Sequence, residues 1–233
     1  MNEQDKALQG RRRWLLGSLG AVAAGAAVVS ASSNAAQSSA PAAGFVPVKH
    51  ALDAWMGEIP GIHRAFLDTS TGNGGLTAMN YANNILMVQA DDYGGSESDY
   101  AMVVCFRHMS TPLGYNDAMW AKYGAALSAF TGLKDSKTDQ AFTVNPLNIP
   151  GRSDFPSRGH TLSEMAGRGA HYAVCNRATH SISGMLARGS GGDANTIYEE
   201  LAVNLVDDAR LVPAGVMAAT RSQEYGYSLL YSG

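Results

Sequence analysis

Residues 171–176 read HYAVCN, and residues 211–231 read LVPAGVMAATRSQEYGYSLLY. The first stretch is a short β-forming run that ends in Cys175 and passes at Asn176 into a helical pattern, in which Ala178, Ile182, Met185 and Leu186 mark one face. The second reads as strand, helix, strand, with Pro213 suited to the start of the helix and Gly226 to its stop. Strand-to-helix handovers in succession predict an α/β fold, and they direct the reading of everything upstream.

Upstream the same alternation recurs. Residues 63–69 (HRAFLDT) suit a first strand, residues 71–75 (TGNGG) a turn, and residues 76–92 a helix with apolar positions at helical spacing. Residues 101–106 (AMVVCF) form a continuous apolar run, the pattern of a strand covered on both faces in a parallel sheet. A helix is expected over 115–123, and another after Thr196, which with Glu199 fits a capping box ahead of Ile197, Leu201 and Leu205. Such a series builds a three-layer α/β/α fold around a mostly parallel five-stranded sheet, its strand order left open. The domain is expected over 61–233, interrupted by an insertion at 125–168 rich in Gly, Pro, Ser and Arg. An insertion of that length suits a lid, a binding segment or an oligomer contact. Residues 36–60 read as a Ser/Ala/Pro linker followed by a short helix.

The first 35 residues carry a different signal. Arg11, Arg12 and Arg13 precede Trp14, Leu15 and Leu16, which matches a twin-arginine export signal, and an Ala/Gly/Val-rich stretch follows. Ser33-Asn34-Ala35 offers a small-x-small cleavage site. An uncleaved membrane anchor is the competing reading, but alanines and glycines make the stretch only weakly apolar. The expectation is a periplasmic protein handled by the twin-arginine export machinery.

Removing residues 1–35 takes the formal net charge from −3 to −5, because that segment holds four basic and two acidic residues. A chain of this charge gains nothing from phosphate attraction, so nucleic acid is not an expected partner. The two cysteines, Cys105 and Cys175, each end an apparent strand and lack the density of a disulfide scaffold. No CxxC pair or zinc-ligand spacing occurs, and neither a metal nor a cofactor is expected.

Ligands of open parallel sheets bind beyond the C-terminal ends of the strands, which selects the segments after Phe106 and after Val174. Cys175 precedes a helix, where the dipole and free N–H groups favour a thiolate; the alternative is a cysteine that only packs. His108 suits a general base, a thiolate partner, a metal ligand or a hydrogen-bonded wall. Beside it, Arg107 suits an anion or a carboxylate such as Asp117. Asn116 and Asp117 can cap the following helix or face a ligand, and Trp120 can line the pocket or pack on the insertion.

The strand-end Cys175, the VPAG turn at 212–215 and the QEYGY ending at 223–227 resemble the DsrE/DsrF-like family, small α/β proteins of sulfur transfer and sulfur oxidation. That likeness spans about 64–231 apart from 125–168. It implies the three-layer fold, a homo-oligomer, and a persulfide-carrying role for Cys175, with a small sulfur compound or a sulfur-carrier protein as partner. A protein of that kind would have sulfurtransferase-like activity or, failing that, would be a non-catalytic ligand-binding or assembly protein of the same fold.

Overall fold

Five strands, β1 (His63–Thr69), β2 (Tyr100–Phe106), β3 (Ala170–Cys175), β4 (Ala209–Val212) and β5 (Ser228–Ser232), form one sheet in the order β4-β3-β2-β1-β5. Every pairing is parallel. The structure, a computed structural model, describes residues Val46–Gly233. The twin-arginine segment, its cleavage site and the first part of the linker lie outside the described residues. None of the described helices is long and apolar enough to cross a membrane.

Helices cover both faces, giving the expected three layers. In chain order they are α1 (Trp55–Glu58), α2 (Gly72–Asp91), α3 (Asp117–Thr131), α4 (Leu162–Gly167), α5 (Asn176–Ser190), α6 (Ala194–Val203) and α7 (Gly215–Glu224). Alternate strand residues separate the two cores. Ala65, Leu67, Met102, Val104, Phe106, Tyr172 and Val174 face the layer of α2, α3, α5 and α6. Phe66, Val103, Cys105, Ala173 and Val212 face α7 and the N-terminal segment. The middle strand β2 is buried from Ala101 to Phe106. Each Val, Met or Phe side chain withdrawn from water there contributes roughly 1.5–3 kcal/mol, which explains a run without polar side chains.

Several expected boundaries move. The glycines of residues 71–75 belong to α2 rather than to a turn: Thr71 caps the helix by accepting from the Gly74 N–H at 2.9 Å. Close packing explains them, since a Cβ on Gly72 would strike the Thr131 carbonyl and one on Gly75 the side chain of Leu113. Asp193, not Thr196, caps α6, accepting from the Thr196 N–H at 2.8 Å. Trp55, Met56 and Ile59 are buried in the α7-side core, so the folded domain starts before residue 61.

Helix α3 runs on to Thr131 and stops at Gly132, whose φ of 72° is left-handed. The non-helical part of the insertion therefore starts at 132 instead of 125, and it is packed. Phe142 meets Trp120 and Phe155 edge-on, with centroids 6.4 and 5.8 Å apart. Asn145 is fully buried and its Nδ2 donates to the carbonyls of Leu113 and Tyr115, both at 2.8 Å. Arg152, also buried, holds Asp135 at 3.0 Å and Asp154 at 2.8 Å.

Candidate functional site

The strands' C-terminal ends gather Thr69, Phe106, Cys175 and Val212 along one edge of the sheet. There β3 feeds α5, which packs on one face, whereas its neighbour β4 feeds α7 on the other. Connections that diverge to opposite faces leave a crevice between them. An open groove of about 520 Å³ occupies it, lined by Arg107, His108, Cys175, Arg177, Ala178, Ser181, Ala214 and Val216.

Register explains which side chains reach this groove. Asp68 pairs with Cys105 and Cys105 with Ala173, so these three share the α7 face, and Cys175, two residues beyond Ala173, shares it too. Cys175 is the N-cap residue of α5 and is 7 % exposed. Its carbonyl accepts from Thr179 Oγ1 at 3.0 Å, and Thr179 Oγ1 in turn accepts from Tyr115 OH at 3.0 Å. Burial pushes the Tyr115 phenol well up, so it stays a donor and holds the start of α5 in place.

Beyond β2 the chain turns at once. His108 has φ of 54°, a left-handed conformation uncommon outside glycine, and it opens a 3-10 helix (His108–Gly114). Met109 N–H donates to the Ser70 carbonyl at 3.0 Å, and Ser110 Oγ accepts from the Arg107 N–H at 3.0 Å. The first bond fastens the turn to the end of β1, the second closes the turn on itself, and His108 is left exposed at the groove.

Arg107 does not pair with Asp117. Its Nε donates to Asp68 Oδ1 and its Nη2 to Asp68 Oδ2, each at 2.7 Å, and this pairing raises its pKa. The stem packs on Gly215, where a Cβ would stand 2.5 Å from Arg107 Cβ, so the glycine of the VPAG turn is what admits the arginine. Arg107 also lies over Tyr231, 5.9 Å from the ring centroid.

Asn116, Asp117 and Trp120 are placed elsewhere. Asn116 Oδ1 accepts from the Met119 N–H and caps α3. Asp117 Oδ1 accepts from Asn145 N and Asn148 Nδ2, tying the insertion to α3. Both line a separate cavity of about 420 Å³ together with Leu162, Ser163 and the segment before β4. Trp120 is fully buried and its Nε1 donates to the Pro112 carbonyl at 3.0 Å, which makes it a core residue. Cys105 is core as well: burial, with Asp68 beside it, pushes its thiol well above the ordinary range. Both cysteines are free thiols.

Sequence reasoning missed Asp68, Arg177 and Gly215. A carboxylate directly after the apolar Ala65, Phe66 and Leu67 was the available sign for Asp68, because a buried charge requires a partner. Arg177 gave no local sign beyond its place two residues past Cys175.

No family model matches the chain, and no curated protein does. Among solved structures it is similar to a protein of unknown function from Methanobacterium thermoautotrophicum. That likeness has 14 % identity and a TM-score of 0.37, and covers 72 % of this chain and 98 % of the other. At that level it adds nothing to the fold argued above from strand pairing.

Proposed function

We propose that this chain is a periplasmic, DsrE-like sulfur-handling protein that binds or relays sulfane sulfur through Cys175. The observation that carries the reading is the seat of that residue: a free thiol at the C-terminal end of β3, at the mouth of a 15-residue helix, lining a groove shared with Arg107 and His108. A thiolate there can attack the sulfane sulfur of a polysulfide, forming a new S–S bond while the shortened polysulfide departs with the bonding electron pair. His108 and Arg107 shape the wall of the groove. A sulfur-carrier protein or a small sulfur compound would supply the donor, and the twin-arginine machinery would export the chain.

Mass spectrometry after treatment with polysulfide tests this. Addition of sulfur to wild-type protein and none to Cys175→Ser is the expected result; a wild-type protein that gains no sulfur overturns it.

One observation favours the second reading, a non-catalytic assembly protein that works as a homo-oligomer. Leu229, Leu230 and Tyr231 on the edge strand β5, with Val216 and Met217 on α7, are all more than 40 % exposed. Light scattering on Leu229→Lys against wild type would read it: a change from oligomer to monomer supports assembly, and a wild-type monomer removes it.

A further inference from the structure

We infer that the groove over Cys175 is an oxyanion site, so that its ligand is a sulfur oxyanion of the sulfate and thiosulfate class. This rests on the sulfur-handling reading for the choice of sulfur, but the anion preference comes from the groove alone.

Charge is the first argument. Arg107, His108 and Arg177 line the groove and no carboxylate does, in a chain whose net charge is −3. Asp68 already matches Arg107 through two hydrogen bonds. Arg177 is exposed, and among the described residues its guanidinium makes no ion pair or hydrogen bond, so its donors are free for an incoming group. A guanidinium presents a planar fork of donors that fits two oxygens of a tetrahedral anion.

The backbone supplies the second argument. Helices α5 and α7 both begin at the groove, with Cys175 and Ala214 as N-cap residues, and neither N-cap side chain accepts a hydrogen bond. By contrast Thr71, Asn116, Thr161 and Asp193 cap α2, α3, α4 and α6. The first-turn N–H groups of a helix have no intrahelical acceptors, and two such sets converging on one groove favour negative charge. Independently of the helices, the Cys175 thiol is more than nine-tenths buried, lines the groove, and has no hydrogen-bond partner among the described residues. Of the other lining residues, Ala178, Ala214 and Val216 are apolar, and the Ser181 hydroxyl donates to the Arg177 carbonyl at 3.2 Å.

Calorimetry on the full chain tests the site with sulfate, thiosulfate and inorganic phosphate, and with dimethyl sulfone as a neutral isostere of sulfate. Sulfate and thiosulfate should bind both wild type and Cys175→Ser, while dimethyl sulfone should not. Arg177→Gln should weaken sulfate binding about tenfold, the loss expected for one charge-assisted contact. Absence of sulfate binding to wild type, or equal binding to Arg177→Gln, overturns the inference. If wild type then still gains sulfur on Cys175 from polysulfide, the sulfur-handling reading survives alone. Sulfate binding beside an inert Cys175 keeps the oxyanion site and discards the sulfur relay. Phosphate binding more tightly than thiosulfate would overturn the assignment to sulfur oxyanions.

Discussion

Arg107 and Asp68, 39 positions apart in the chain, are joined by two parallel hydrogen bonds of 2.7 Å, and the two partners are unequally buried, with side chains 21 % and 7 % exposed. The contact ties the turn after β2 to the end of β1 and sets the floor beside the groove. Its two halves are not equivalent, because a charge left alone costs more the deeper it lies.

Removing the arginine should therefore cost more than removing the acid. Arg107→Met strands a buried carboxylate and should lose about 3 kcal/mol of stability at neutral pH. Asp68→Asn leaves an arginine that can turn to water and should lose about 1 kcal/mol. Urea denaturation of the two variants checks the order; equal losses would contradict it.

The two thiols should behave differently. Cys105 is fully buried with its thiol held up, whereas Cys175 opens on the groove. Iodoacetamide should add one group to the native protein and two in urea, and Cys175→Ser should lose the native adduct. Modification of Cys105 under native conditions would contradict the placement of that residue in the core.

Trp120 should prove to be structural. Replacement by alanine empties a fully buried site and frees the Pro112 carbonyl, at a cost of about 3–5 kcal/mol. A stable Trp120→Ala protein altered only in ligand binding would return this residue to the pocket.

Acid should weaken the fold through Glu97. Its carboxylate accepts from Arg168 at 2.6 and 2.9 Å, and that contact lowers its pKa below the ordinary 4.5. The unfolded chain then takes up the proton first as pH falls. Stability from the pair is present above pH 4.5 and drains as pH drops through the lowered value. Glu97 is 35 % exposed at its side chain, so the contribution is about 0.5–1 kcal/mol. Glu97→Gln should lower stability by about 0.5–1 kcal/mol near pH 7, leave it unchanged in strong acid, and so flatten the slope of stability against pH below 4.5.

Export should depend on the arginine pair. With Arg11→Lys and Arg12→Lys, precursor should accumulate inside the cell and periplasmic protein fall by at least about tenfold. Wild-type delivery of the double variant would refute the twin-arginine reading.

What the chain reveals alone is what depends on near neighbours. The bounds of β1, the apolar run of β2, the handover at Cys175 and the left-handed Gly226, with φ of 82°, all follow from local periodicity and backbone preference. The parallel three-layer design follows from their alternation. Strand order and register do not, because they are settled by which faces bury together across the whole sheet. Only register puts Asp68, Cys105 and Cys175 on the α7 face, and only the course of β4 into α7 brings Ala214 and Gly215 beside Arg107. Trp120 shows the same limit from the other side. In sequence it stands in a polar patch, but the rotation of α3 about its axis turns it inward while Asp117 faces the insertion. A side chain's neighbours 39 or more positions away are decided by packing, and packing is a property of the assembled layers rather than of any one segment.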